Sequence, residues 1–466
     1  MAATECSVAS SSTPKRPKLQ GYDFYKTVLG SPKYIVAPMV DQSELAWRVL
    51  SRRYGAQVVY TPMINAKMFC DPTKKSFREQ MFSLANAEEG SSLLDRPLVI
   101  QFCGNNPDQI LASAKALQDH CDAVDINLGC PQEIARRGRY GSFLQDEWEL
   151  IEKLIKTLHE NLDVPVTAKF RVFPSLEKTV QYAQMLERAG AQILTCHGRT
   201  REQRGQISGL ADWAKIRAVK AAVSVPVFAN GNILFHSDID RCLAATGADA
   251  VMSAEGQLYN AALFAPSPSP SPSLTSPSSP SSALSPTTHP LTTTSPKYAL
   301  TPGYHPPHCD LALEYLSIVR TIKTRTAFSA VKGHLFKLLR PALGREKDLR
   351  EQLGRVAAKD FEAGMILYEG IVGELKGRMD RDAAEAEANG KTLEELIEID
   401  PVSGLQVLPH WLAQPYVRPA KAPEPVTAEK RRAPIPVEDT TSKRPKLSED
   451  SSASVSSDPT PMVITA

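Results

Sequence analysis

Between residues 31 and 264, short apolar runs alternate with longer stretches whose apolar residues recur at helical spacing. The runs are Tyr34–Ala37, Gln57–Thr61, Pro97–Phe102, Ala123–Asn127, Pro165–Val172, Ala191–His197, Pro226–Asn230 and Ala248–Ser253. Between them the periodicity predicts helices at Ser43–Tyr54, Pro107–His120, Trp148–Glu160, Leu176–Ala189, Trp213–Val223 and Ser237–Thr246. Eight β/α alternations over about 230 residues predict an α/β protein of the TIM (β/α)8-barrel type. A doubly wound sheet would usually carry a Gly-rich GxGxxG turn after its first strand, and Ala37-Pro38-Met39 is not one. From residue 309 to about 390 the pattern is helical only. Leu311–Thr324, Ala327–Leu339, Glu346–Leu353 and Asp360–Gly377 carry apolar residues at i, i+3, i+4 spacing and predict a separate all-helical domain.

Three stretches carry neither period. Residues 1–20 form a Ser/Thr-rich basic tail, 265–308 are rich in Pro, Ser and Thr, and 415–466 are rich in Pro, Ser and charge. Such compositions bury too little apolar surface to offset the entropy of ordering, so all three are expected to be disordered. Lys15-Arg16-Pro17-Lys18 and Lys443-Arg444-Pro445-Lys446 recur at the two ends and read as import signals or solubilising tails, so cytoplasm, nucleus or both are expected.

Composition adds limits. With 42% hydrophobic residues a sizeable core is available, and a net charge of +2 says little about partners. Eight cysteines without a CxxC pair suggest a reducing compartment. The N-terminus lacks an apolar signal segment, and no apolar stretch approaches the length of a membrane span. Local charge is more informative. From Arg320 to Arg355 ten Lys/Arg stand against three acids, the footprint of a phosphate-binding surface, or else of a solvated helical face. Lys332, His334, Lys337 and Arg340 are the candidate RNA contacts.

The predicted strand ends are polar while the strand bodies are apolar, and in a TIM barrel those C-terminal ends build the site. On the fifth strand, period-two alternation puts Thr167, Lys169 and Arg171 on one face and Val166, Ala168 and Phe170 on the other. Two cations inside a barrel demand an electron-rich ligand or an internal partner such as Asp125. A Schiff-base lysine is the remaining reading of Lys169. Asn230-Gly231-Asn232 and Ala254-Glu255-Gly256 follow the seventh and eighth strands, where barrels commonly hold phosphate. Cys130, in Asn127-Leu128-Gly129-Cys130-Pro131-Gln132, sits where a thiol could donate a proton to a ligand, though a buried structural Cys is the commoner fate of the residue. His197 is a ligand-binding or a core histidine. Tyr304-His305-Pro306-Pro307-His308-Cys309 lacks a second cluster at zinc spacing, which argues against a metal site.

Ala37-Pro38-Met39, Gln101, Asp125 to Gln132, Lys169-Phe170-Arg171, His197-Gly198-Arg199-Thr200 and Asn230-Gly231 resemble the tRNA-dihydrouridine synthase family. Glu255 to Asn260 and Val331 to Leu339 look closest to its eukaryotic subtype acting on D-loop positions sixteen and seventeen. The resemblance implies an NAD(P)-linked oxidoreductase with bound FMN, NADPH as electron donor, and the tRNA D-loop as partner. A monomer is expected, and mRNA is left open as a second substrate. Pro38, Met39, Gln101, Lys169, His197, Asn230, Gly231, Asn232, Ala254, Glu255 and Gly256 would line the flavin. Cys130 would be the general acid, with Asn127 and Arg171 near the target base. Ala254-Glu255-Gly256 stands where many bacterial relatives have Gly-Arg-Gly, and the Pro/Ser/Thr segment is an insertion. Two rival readings are a small-molecule FMN pyrimidine reductase and a non-catalytic RNA-binding barrel.

Overall fold

A computed structural model describes residues 18–205, 208–265, 292 and 294–416. Eight parallel strands form a closed barrel: β1 Tyr34–Val36, β2 Val59–Tyr60, β3 Leu98–Cys103, β4 Ala123–Leu128, β5 Val166–Arg171, β6 Leu194–His197, β7 Val227–Asn230 and β8 Ala250–Ser253. Each pairs with the next from β2 to β8, β8 pairs with β1, and a bridge from Ile35 to Val58 closes the ring. A two-residue strand, Ile64–Asn65, pairs beside the C-terminal end of β3. The eight predicted runs are these eight strands.

Helix α1, Gly21–Thr27, precedes the barrel. Its Phe24 and Tyr25, with Leu29, pack against the inward Ile35, Val58, Val99, Ala123, Phe228 and Ala250. The N-terminal end of the barrel is thereby filled with apolar side chains, leaving the C-terminal end for chemistry. The outer ring includes α2 Leu45–Arg53, α3 Pro107–Leu117, α4 Trp148–Asn161, α5 Leu176–Arg188, α6 Trp213–Ala222 and α7 Ser237–Thr246. Local chemistry fixes several of their starts. The side chains of Asn106, Ser175 and Asp212 accept N–H bonds from Gln109, Lys178 and Lys215, each capping a helix. A short helix, α8 Glu255–Tyr259, follows β8.

The helical region consists chiefly of α9 His308–Thr321, α10 Phe328–Leu338, α11 Lys347–Arg355 and the long α12 Phe361–Ala388. It is not separate from the barrel. One apolar cluster runs from Leu45, Trp47 and Leu50 of α2 through Leu258 to Leu311, Tyr315, Leu335, Tyr368 and Val372. Polar bonds cross the same seam: Trp47 Nε1 donates to Gln257 Oε1 at 2.6 Å, and Tyr315 OH donates to Glu44 Oε1 at 2.7 Å.

The stretch 265–308 was expected to be a structureless bridge. Residues 294–308 are instead built into the fold. A hairpin of β9 Ala299–Leu300 and β10 Gly303–Tyr304 leads into α9, and Leu300, Tyr304, His305 and His308 are buried. The helical domain was expected to end near residue 390, yet Leu408, Trp411 and Leu412 pack into its core. The apolar residues in these segments have no regular spacing, which is why periodicity missed them. Residues 1–17, 206–207, 266–291, 293 and 417–466 lie outside the described residues, and with them the Lys443–Lys446 cluster and most of the N-terminal one. Lys18, the last residue of the N-terminal cluster, donates to the His159 and Leu162 carbonyls at the end of α4. Among the described residues no helix is long and apolar enough to cross a membrane.

His305 and His308 serve this packing. His305 Nδ1 lies 2.7 Å from the Ala413 carbonyl and His308 Nε2 lies 2.9 Å from that of His410. Burial pushes both imidazoles down to about 4, so both are neutral in the fold. Below pH about 6.5 the unfolded state takes up protons that the folded state refuses, so stability falls as pH drops from 6.5 towards 4. We expect the thermal midpoint at pH 5 to lie below that at pH 7.5, with a smaller difference in His308→Gln. An equal drop in that variant would assign the effect to other groups.

Candidate active site

The polar side chains inside the barrel are layered by strand register. Gln101 on β3 pairs with Asp125 on β4, and Asp125 with Thr167 on β5, so the three form one row. Two residues further along the same faces come Asn127 and Lys169, and β6 and β7 bring up His197 and Asn230, which also pair.

Hydrogen bonds tie the rows together. Thr167 Oγ1 donates to Asp125 Oδ1 at 2.6 Å, and Gln101 Nε2 donates to Asp125 Oδ2 at 2.8 Å. Asn127 Nδ2 donates to Gln101 Oε1 at 2.8 Å. Asn127 Oδ1 then accepts the backbone N–H of Gly129 at 3.1 Å and of Cys130 at 2.9 Å. Ser142 donates through both its N–H and its hydroxyl to the Cys130 carbonyl, holding the loop from the other side. Cys130 is half-buried. Burial pushes its thiol up, opposed by the Gln132 N–H and by Arg171 and Lys169, so at neutral pH it keeps its proton.

Lys169 Nζ donates to Asn230 Oδ1 at 2.9 Å, and Asn230 Nδ2 donates to the Met252 carbonyl at 2.9 Å. Burial, then the Arg171 charge, pushes the Lys169 ammonium down to about 8. The internal salt bridge considered for Asp125 does not form: its oxygens take Thr167 and Gln101, and neither Lys169 nor Arg171 joins any of the described ion pairs. Arg171 instead spans loops. Its Nε donates to the Gly129 carbonyl at 2.9 Å and its Nη1 to the Thr200 and Gln203 carbonyls at 2.8 and 2.9 Å. It therefore braces the Cys130 loop against the loop after β6.

His197 Nε2 lies 3.1 Å from Arg199 Nη1. A guanidinium only donates, so Nε2 accepts and the neutral ring carries its proton on Nδ1. Burial and the charges of Arg171, Lys169 and Arg199 hold His197 well below its usual range. Glycine is required at two rim positions. Gly231, at φ +114°, has no room for a Cβ, which would stand 2.6 Å from the Ala211 Cβ, and a Cβ on Gly256 would meet the Ile233 carbonyl at 2.4 Å. These contacts hold the loop after β7 against the loop after β6, through Ala211, and against the start of α8 after β8, through Ile233. Asn232 is turned away into loop bonding: it accepts from the Ala211 N–H and Arg199 and donates to the Ala211 carbonyl. Pro38 and Met39 lie half-buried at the end of β1, and Ala254 and Glu255 half-buried after β8.

These residues fit a flavin mononucleotide. The mouth offers ammonium, amide and imidazole donors, and among the described residues its Lys169 and Arg171 are bonded to neutral acceptors and not to a carboxylate, a charge excess that an electron-rich ring and a phosphate would complement.

The four expected RNA contacts fare differently. His334 is overturned as a surface residue: it is fully buried, stacked on Trp47 at 3.9 Å between ring centres, with Nε2 3.0 Å from Glu44 Oε2. Its position on α10 faces α2 rather than solvent, a fact only the domain packing decides. Lys332 Nζ donates to the Gly354 and Val356 carbonyls at the end of α11. Lys337 Nζ donates to Gln42 Oε1 at 2.9 Å, and the Arg340 guanidinium lies 3.6 Å over the Tyr416 ring. The local charge excess is also smaller in space than along the chain, because α12 brings Glu362 and Glu369 onto Arg320. Exposed cations remain at Lys323, Arg325, Arg345, Lys347 and Arg350.

Residues 35–286 match the family model described as dihydrouridine synthase. A tRNA-dihydrouridine(16/17) synthase-like protein of Rattus norvegicus is 43% identical over 403 residues, 86% of this chain and 78% of the relative. This chain belongs to the dihydrouridine synthase family. A tRNA-dihydrouridine(16/17) synthase of Schizosaccharomyces pombe is 43% identical over 413 residues, covering 87% of this synthase and 92% of its relative. A tRNA-dihydrouridine(20a/20b) synthase-like protein of Homo sapiens is 35% identical over 234 residues, 50% of this chain and 70% of the relative.

Proposed function

We propose that this synthase reduces the C5=C6 bond of uridines in the tRNA D-loop, at positions sixteen and seventeen, using FMN and NADPH. The observation that carries the reading is the pairing of Cys130, a protonated thiol on a braced loop, with the ion-pair-free Lys169 inside the same barrel mouth. Support for the subtype comes from the extent of likeness: the 16/17 relatives align through the helical domain, whereas the 20a/20b relative covers half the chain.

Lys169, His197, Asn230 and Gln101 would hold the FMN ring, and the loops around Gly231 and Gly256 its phosphate. Bound FMN would supply the two-electron chemistry, taking hydride from NADPH and passing it to C6 of uracil. Cys130 gives its proton to C5 and recovers one from solvent. The Lys169 ammonium, held by Asn230, would stabilise negative charge on a ring bound beside it. Asn127 and Arg171 keep Cys130 in place through the Gly129 and Cys130 backbone. The uridine must leave its stack to reach this depth, which costs a few kcal/mol.

The reading is tested by dihydrouridine content in tRNA treated with purified protein, FMN and NADPH. No product from protein that binds flavin and consumes NADPH would favour a small-molecule substrate. Absence of bound flavin would sink the enzyme reading. For the RNA surface, Lys347→Gln with Arg350→Gln is expected to weaken tRNA binding and lower its log–log salt slope by roughly one per cation lost, with NADPH oxidation unchanged. An unaltered slope would place the contact elsewhere.

A further inference from the structure

Asp125 was no site candidate in the sequence, yet every amide in the Cys130 support points back to it. We propose that Asp125 is a positioning residue that sets the orientation of Gln101 and Asn127 and thereby holds the Cys130 loop, an inference that rests on the role given to Cys130 above. A carboxylate only accepts. Asp125 is fully buried, and its Oδ2 faces Gln101 at 2.8 Å, so Gln101 must present Nε2 to it. That leaves Gln101 Oε1 towards Asn127, which must answer with Nδ2, at 2.8 Å. Asn127 Oδ1 is then turned to the Gly129 and Cys130 N–H groups at 3.1 and 2.9 Å. Reversing either amide would set donor against donor in a dry interior, where an unmet polar group is costly. Thr167, which gives Asp125 Oδ1 its hydroxyl hydrogen at 2.6 Å, anchors the far end.

What the relay needs from position 125 is an acceptor facing Gln101, not a charge. Asp125→Asn can supply one: its amide oxygen faces Gln101 while its NH2 turns to Thr167, whose hydroxyl can accept instead of donate. Asp125→Ala cannot. The two variants are compared with wild type in the full-length flavin-loaded protein. The first readout is hydrogen exchange at the Gly129 and Cys130 amides, which needs no tRNA. The second is single-turnover reduction of tRNA uridine by pre-reduced enzyme.

In Asp125→Ala we expect exchange at those two amides to rise and the single-turnover rate to fall, each by roughly tenfold or more. In Asp125→Asn both should stay within about threefold of wild type, because the acceptor is kept. Two results would overturn the proposal. One is unchanged protection of the two amides in Asp125→Ala; the other is an Asn variant that departs from wild type by roughly tenfold or more in both readouts, which would make charge the requirement. Should Asp125→Ala not fold, the Asn variant alone still permits the second refutation. Failure of wild type to reduce tRNA would count against the proposed function and leave the exchange result to judge the relay.

Discussion

Replacing Cys130 by alanine is expected to lower dihydrouridine formation by about a hundredfold to ten-thousandfold, the range in which a positioned general acid contributes. The expectation comes from place and protonation together. The thiol stands on a loop fixed by Asn127, Ser142 and Arg171, and burial keeps its proton on at neutral pH. In the proposed reaction, hydride delivery to C6 would leave negative charge to be quenched at C5, and without the thiol the proton would have to come from water. The substitution removes one sulfur from a half-buried position, so the barrel should fold and hold flavin as before. NADPH oxidation by bound flavin should therefore be untouched while tRNA product falls. Parallel loss of both activities would mean that the Cys130 loop supports the flavin rather than the uridine.

The barrel was legible because its strands are buried on both faces and end in polar residues. Lys169 and Arg171 were legible for a sharper reason, since period-two alternation on β5 admits only one face for them. Arg171 shows where that legibility ends. Its face could be read from the sequence, but not its partners, because the Gly129, Thr200 and Gln203 carbonyls come from loops whose paths no spacing fixes. Asp125 was seen only as a counter-charge. Its role depends on cross-strand register, which puts Gln101 and Thr167 on either side of it. His334 failed for a related reason. A histidine among lysines on an amphipathic helix looks solvated until α2 brings Trp47 and Glu44 against it. A charge count along the chain carries the same weakness, since α12 returns Glu362 and Glu369 to Arg320 from some forty residues away. The docking itself bears on function. A small-molecule pyrimidine reductase has no need of a helical domain whose cations Lys323 and Arg325 follow α9 beside the barrel, whereas a polyanionic substrate does.

Lys169→Met should be the second large effect. Methionine keeps most of the stem and removes the charge, so a loss reports the ammonium rather than the packing. Lys169 is bonded to Asn230 and faces no carboxylate at ion-pair distance, so its charge is available to a ligand in the mouth. Removing a single preorganised donor of this kind costs on the order of a hundredfold to a thousandfold in rate. We expect that loss in NADPH-driven flavin reduction, with tRNA affinity kept. The pH profile supplies an independent check. Burial and Arg171 hold the Lys169 pKa at about 8, so the group is charged below that value and neutral above it. Wild-type flavin reduction should accordingly fall as pH rises through about 8, and Lys169→Met should be slow at every pH with that alkaline limb gone. If the limb persists in the methionine variant, another group sets it. If the rate itself is unchanged, the ammonium has no part in the reaction, and its burial in the barrel mouth requires a different ligand from the one proposed here.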